Sequence, residues 1–155
     1  MRDIRFVSRK ISNYFANLVK HGYEQPLELG NVNSKRDWGY APDYVKAMYE
    51  IMQGVPDDYV VASGCSHTVK EFVNNIATFC NIELIWDGEG VSTKAYDSKN
   101  GNIIVKINSA FFRPIEPRQL KGDISKIKAK IGWKPHYTFE EMCKLIISEE
   151  LGEIE

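Results

Sequence analysis

Along this chain, stretches with apolar residues at helical spacing interleave with shorter extended runs. From Val7 to Lys20, the positions Val7, Ile11, Tyr14, Phe15, Leu18 and Val19 recur at the spacing of one helix face. Ser8 reads as the N-cap of that helix and Gly22 as its stop. A short extended stretch, Pro26 to Leu29, follows, and then a polar loop from Gly30 to Lys35. Pro42 suits the first turn of a second helix, where its missing N–H costs nothing. That helix carries Tyr44, Val45, Met48, Ile51 and Met52, read as one side.

The run Asp58 to Ala62 reads as a buried strand ending at Ser63-Gly64. Thr68 and Glu71 form a capping-box signature ahead of Val69, Phe72, Val73 and Ile76 at helical spacing. Ile82 to Trp86 reads as another strand. Asp97 to Gly101 is a turn between two extended pieces, the second with Ile103, Val105 and Ile107 alternating. Ser125 to Ile131 is a short helix stopped by Gly132. Thr138 and Glu141 then cap a last helix with Phe139, Met142, Leu145 and Ile146 inward, and the acidic tail 149–155 is expected to fray. The whole reads as α/β, and 155 residues predict a single domain over 1–155.

Composition narrows the function classes. Charged residues make up 26% and the net charge is −1, so nothing steers the chain to nucleic acid or to an anionic membrane surface. No apolar run is long enough to span a bilayer, and Met1 to Phe6 lacks the apolar segment of a signal peptide. Cys65, Cys80 and Cys143 are odd in number and far apart, which predicts free thiols and a cytoplasmic location. Neither they nor His21, His67 and His136 show metal-ligand spacing, so no metal is expected. Cys65 and His67 follow no catalytic signature. No glycine-rich phosphate fingerprint follows a strand: Gly88-Glu89-Gly90 lacks the third glycine and the helix.

One segment carries more specific information: Leu29-Gly30-Asn31-Val32-Asn33-Ser34-Lys35-Arg36-Asp37-Trp38-Gly39-Tyr40. Its Leu-Gly-Asn start and Lys-Arg-Asp-Trp-Gly core resemble the GDP-mannose 4,6-dehydratases, extended short-chain dehydrogenase/reductases that act on nucleotide sugars. Relatives acting on other nucleotide sugars show a Tyr-Gly-Asp-Gly type of turn there. Phe6-Val7-Ser8-Arg9-Lys10-Ile11, Phe112-Arg113-Pro114-Ile115-Glu116, and Leu120-Lys121-Gly122-Asp123 with Gly132-Trp133-Lys134-Pro135 are similar to the same family, in the family's order.

The resemblance implies the C-terminal, substrate-binding portion of such an enzyme: short strands alternating with helices, without the Rossmann half that holds the cofactor. The family converts GDP-mannose to GDP-4-keto-6-deoxymannose with NADP. That chemistry needs a glycine-rich loop and a Tyr-x-x-x-Lys pair, and neither pattern occurs here. The chain is therefore expected to have no catalytic residue, to bind no NADP alone, and to be inactive alone. A separate N-terminal cofactor-binding half and self-association are the implied partners. A non-catalytic nucleotide-sugar binding protein, or a fragment of another nucleotide-sugar epimerase or dehydratase, is the alternative.

The resemblance also implies site residues. Arg36 would meet the diphosphate, since a guanidinium offers a planar fork of donors; the plainer reading is a salt bridge with Asp37 or Asp43. Arg113 would add a second cation, and Glu116 would accept from ribose hydroxyls; the plainer reading is an ion pair within one turn. Lys10 would touch phosphate and Val7 would line the guanine pocket, or they are a solvated lysine and an apolar helix start. Gly30 and Asn31 would let backbone approach the nucleoside, or simply turn the chain. Lys35 would add positive potential or lie at the surface. Asp37 is read as orienting its loop and Trp38 as packing. Arg2 is the implied NADP contact, in a stretch that departs from the family's paired arginines.

Overall fold

A computed structural model of the chain describes residues 3, 6–113 and 120–153. In chain order the elements are α1 (Val7–His21), β1 (Leu27–Leu29), β2 (Lys35–Arg36), α2 (Ala41–Met52), β3 (His67–Thr68), α3 (Val69–Phe79), β4 (Leu84–Asp87), a 3-10 turn (Gly90–Ser92), β5 (Lys94–Asp97), β6 (Ile103–Ile107), α4 (Ser125–Ile131) and α5 (Phe139–Leu151). The class is α/β, as the pattern predicted. The chain divides into two compact units. The first is Met1–Ser34, Thr68–Glu116 and Cys143–Glu155; the second is Lys35–His67 and Pro117–Met142.

The first unit is built on a four-stranded mixed sheet, ordered β1-β6-β5-β4. β1 runs parallel to β6 with Leu27 opposite Val105 and Leu29 opposite Ile107. β5 and β4 continue the sheet antiparallel, with an irregularity at Ala95–Tyr96. Alternation along β6 predicted one buried face. Instead the consecutive residues Ile104 and Val105, which point to opposite faces of this interior strand, are both buried. α1 packs on β1 and α3, and Ile11, Phe15, Phe72, Val73 and Ile76 are fully buried.

Local signals set the helix ends. The Thr68–Glu71 capping box forms in both directions. Gly22 ends α1 at φ 84° with its amide bonded to Leu18 O. The Asp97 carboxylate accepts from Lys99 N at 2.9 Å and Asn100 Nδ2 at 2.7 Å, which shapes the turn before β6. The N-cap of α1 is Phe6, not Ser8, and no side chain caps it. α5 buries Met142, Cys143 and Ile147 and stays helical through Leu151, into the tail expected to fray. Glu150 anchors it: its side chain takes Arg9 Nε at 3.3 Å and its carbonyl takes Lys20 Nζ at 2.7 Å.

The second unit has little regular structure besides α2 and α4. Ala47, Ile127 and Trp133 form its core, with Tyr44, Ile51, Tyr59, Val61 and Ile124 packed around them. The side of α2 read as one face splits in two: Tyr44 and Ile51 turn inward with Ala47, while Val45, Met48 and Met52 face out. Residues 58–62, expected as a strand, have no ladder partner. Tyr59 and Val61 pack against the core while Val60 is exposed, and the amides that follow them bond a side chain. Asp37 accepts from Ser63 N at 2.8 Å, Gly64 N at 3.1 Å and Gly122 N at 3.0 Å. Asp37 thus orients its loop, as expected, and Trp38 packs on Phe139 with ring centroids 5.8 Å apart. Gly122 has to be glycine: a Cβ there would collide with the Ala62 side chain.

Asp43 repeats the device. In the first turn of α2 and buried, it accepts from His136 N at 3.0 Å and Tyr137 N at 3.1 Å. Asp43→Ala strands two amides and removes two charge-assisted bonds, so it should cost about 2–3 kcal/mol. Asp43→Asn, which keeps an acceptor, should cost less. Urea unfolding of the three proteins measures the difference, and equal midpoints would remove Asp43 as a structural tie.

Candidate functional site

In the first unit the parallel strands β1 and β6 end on one edge of the sheet. In open α/β sheets the crevice outside the carboxyl ends of the strands is where ligands sit. Asn108, just past β6, organises this edge. Its amide donates to Leu29 O at 2.8 Å and its Nδ2 to Glu28 Oε2 at 2.7 Å. Its Oδ1 accepts from Ala110 N at 2.9 Å and its carbonyl from Phe111 N at 3.0 Å, closing a tight turn. The turn carries the Phe111 carbonyl against Gly30, so closely that a Cβ at Gly30 would overlap that oxygen. Glycine is required here by close approach, not by a special φ.

α1 supplies the next wall. Lys10 Nζ donates to Glu28 O at 2.6 Å and lies 4.7 Å from the centre of the Phe111 ring, within the range of a cation–π contact. Burial lowers the Lys10 pKa below the ordinary lysine value, against the opposing pull of Glu28. The Glu28 carboxylate is held by Asn108 and by Lys106, whose Nζ is 3.0 Å from Oε1. The Asn108 hydrogen bond first, and the Lys106 bond second, keep its pKa below the usual carboxylate range.

The structure therefore brings Lys10 and Gly30 together at Phe111. Val7, half-buried, lies one turn before Lys10 on α1. Asn31 follows Gly30 and builds the turn, its Oδ1 accepting from Asn33 N at 3.0 Å. Arg113 is exposed, two residues past Phe111. Lys35 and Arg36 form β2 in the second unit, where Arg36 Nη1 donates to Lys35 O at 2.7 Å. Arg2 and Glu116 lie outside the described residues. Sequence reasoning missed Glu28, Lys106, Asn108 and Phe111. The one available signal was the aromatic pair Phe111-Phe112 directly before Arg113; the Glu28–Asn108 bond joins residues 80 apart.

Residues 1–146 match the family model described as GDP-mannose 4,6 dehydratase. The chain belongs to the GDP-mannose 4,6-dehydratase family. It is 41% identical over 161 residues to the GDP-mannose 4,6-dehydratase of Yersinia enterocolitica, across 97% of this chain and 43% of that protein. With that of Drosophila melanogaster the identity is 42%, across 97% and 38%. The chain thus spans about two-fifths of the length of these relatives. Among solved structures, RMD from Pseudomonas aeruginosa complexed with NADPH matches at a TM-score of 0.75 and 19% identity, covering 99% of this chain and 45% of RMD. The dTDP-glucose 4,6-dehydratase of Bacillus anthracis in complex with NAD matches at 0.66 and 17%, covering 99% and 41%. At these identities the structures show the fold alone: this chain is folded like part of each of those proteins.

The step from β3 into α3 offers no free amide to a pyrophosphate: Thr68 N donates to the Glu71 carboxylate, Glu71 N to Thr68 Oγ1, Val69 N to Ser34 O and Lys70 N to Val32 O. Among the described residues no group of three or more His, Cys, Asp or Glu could hold a metal.

The Glu28 pKa shift has a testable sign. A carboxylate whose folded pKa is depressed adds stability above its unfolded value, about 4.3, and that stability is lost as pH falls through the folded value. The wild type should therefore lose more stability than Glu28→Gln between about pH 5 and pH 3. Urea midpoints at pH 7, 5 and 3.5 read this out; parallel curves would show that the Asn108 and Lys106 contacts do not hold Glu28 charged.

Proposed function

We propose that this chain is the nucleotide-sugar-binding portion of a GDP-mannose 4,6-dehydratase and that its ligand is GDP-mannose. The observation that supports this best is the edge where β1 and β6 end: the backbone at Gly30, with no side chain above it, lies against Phe111 next to the Lys10 ammonium. The Phe111 carbonyl fills the space over Gly30, and the Lys10 ammonium beside this turn supplies the positive charge that suits a nucleoside diphosphate. In this reading Gly30 and Asn31 admit the nucleoside, Val7 lines the base pocket, Lys10 and Arg113 supply positive charge, and Glu116 meets the ribose. Lys35 and Arg36 are proposed as phosphate contacts on the family resemblance of their Lys-Arg-Asp-Trp-Gly segment. No residue of this chain is assigned a step in converting GDP-mannose to GDP-4-keto-6-deoxymannose. The NADP that the reaction uses belongs, in this reading, to a cofactor-binding half.

Calorimetric titration tests the assignment. GDP-mannose should bind in the micromolar range, roughly −8 kcal/mol, and UDP-glucose more weakly. Arg36→Ala should weaken GDP-mannose at least about tenfold, as expected for loss of a charge-assisted phosphate contact. No binding at millimolar GDP-mannose would sink the reading.

The reading includes a partner. On α2, Val45, Met48, Tyr49 and Met52 recur at i, i+3, i+4 and i+7 and are 56–73% exposed, while Ala47 on the other side is buried. A helix apolar on both sides is at home inside a larger assembly. We assign the outward stripe to the cofactor-binding half, and to a second copy of this chain when that half is missing. The three free thiols support a reducing compartment such as the cytoplasm. Sedimentation at rising concentration should show self-association that Met48→Glu with Met52→Glu abolishes; a monomer at every concentration would count against the stripe as an interface.

A further inference from the structure

Phe111 stands out on the sheet edge. It is 52% exposed, yet its surroundings hold it firmly. Its amide bonds Asn108 O at 3.0 Å, its carbonyl abuts Gly30, and its ring rests by Lys10 Nζ at 4.7 Å. Each brace is itself braced: Asn108 is bonded to Leu29 O and to the Glu28 carboxylate, and Lys10 to Glu28 O. An exposed aromatic ring normally loses rotamer freedom when a ligand covers it; here the backbone that carries the ring is already fixed, and Lys10 Nζ meets the ring itself. Nothing in the packing of the unit needs the ring, since more than half of the residue is left in water.

We propose that Phe111 is the platform on which the ligand's planar purine base stacks, with Lys10 bracing the ring. This rests on the nucleotide reading given above and names a residue that reading does not use. A rigid, half-exposed ring accepts a base because every base has a π-face, and such stacking is a large share of nucleotide affinity. The Lys10 ammonium has an acceptor in Glu28 O and a ring beside it, so it orients the platform as well as contributing charge.

Calorimetric titration of the full chain with GDP, which carries the base without the hexose, separates the possibilities. Phe111→Ala should weaken GDP about 5- to 150-fold, the span expected for losing one base stack. Phe111→Leu should behave like Phe111→Ala, and Phe111→Tyr like the wild type. In Phe111→Trp, GDP should quench the emission of the new indole; Phe111→Trp in a Lys10→Met background controls for the brace and should quench less. Urea midpoints of the variants substituted at Phe111 alone should match the wild type, because that side chain is exposed. Unchanged affinity of Phe111→Ala, or restoration by Phe111→Leu, would overturn base stacking while leaving nucleotide binding intact. Absence of GDP binding to the wild type would overturn the nucleotide reading and this platform with it.

Discussion

The parallel pairing of β1 with β6 is the constraint on which the first unit depends. It sets Leu27 against Val105 and Leu29 against Ile107, all in the interior or at its margin, and it closes a loop of most of the chain. Closing so long a loop costs only slightly more than closing one half its length, since the entropy grows with the logarithm of length. The pairing is repaid by burial: Leu27, Leu29, Ile104 and Val105 are 4% exposed or less, and fully burying such a side chain contributes about 1.5–3 kcal/mol. Everything at the candidate site hangs from the end of that pairing. Asn108 can reach Leu29 O and Glu28 only because β6 delivers it there, and Phe111 can approach Gly30 only because Asn108 turns the chain.

The second unit solves a different problem. Its loops have few regular hydrogen-bonding partners, and buried amides without partners are expensive. Two carboxylates provide them. Asp37 serves three amides and Asp43 two, from segments up to 94 residues away in the chain. These bonds outweigh the ion pairs on the same unit. Lys126 and Asp57 approach to 2.7 Å, but both are more than two-fifths exposed, and exposed pairs contribute about 0–1 kcal/mol. Asp37 directly follows Arg36, so the tie that orders the loop also restrains the backbone of the residue proposed to meet phosphate.

Family membership and site geometry bear on different questions. The match over residues 1–146 establishes descent, and the solved structures establish the fold. Neither says which atoms meet a ligand. The sheet edge does suggest that, because it combines a glycine whose Cβ would collide, a half-buried lysine and an exposed ring beside that lysine. The apolar outer stripe of α2 is the surface that the proposed reading gives to another polypeptide. A site whose competent form is only partly populated in isolation binds more weakly by that fraction, so affinity reports on assembly as well as on contacts.

By itself the amino-acid sequence determined the local structure. The Thr68–Glu71 and Thr138–Glu141 boxes, the stops at Gly22 and Gly132, and the Asp97–Gly101 turn all form as read. Each depends on hydrogen bonds within about five residues, so a few consecutive side chains suffice to encode it. The family resemblance was legible for the same reason, being carried by short contiguous segments. The tertiary structure alone decided the rest. It put β6 in the sheet interior, left residues 58–62 without a strand partner, turned Tyr44 inward and Val45 outward, and gave Glu28 to Asn108 and Lys106. It also set Phe111 over Lys10. Those outcomes depend on which distant segments pair, and periodicity records which side of an element is apolar but not what that side will meet.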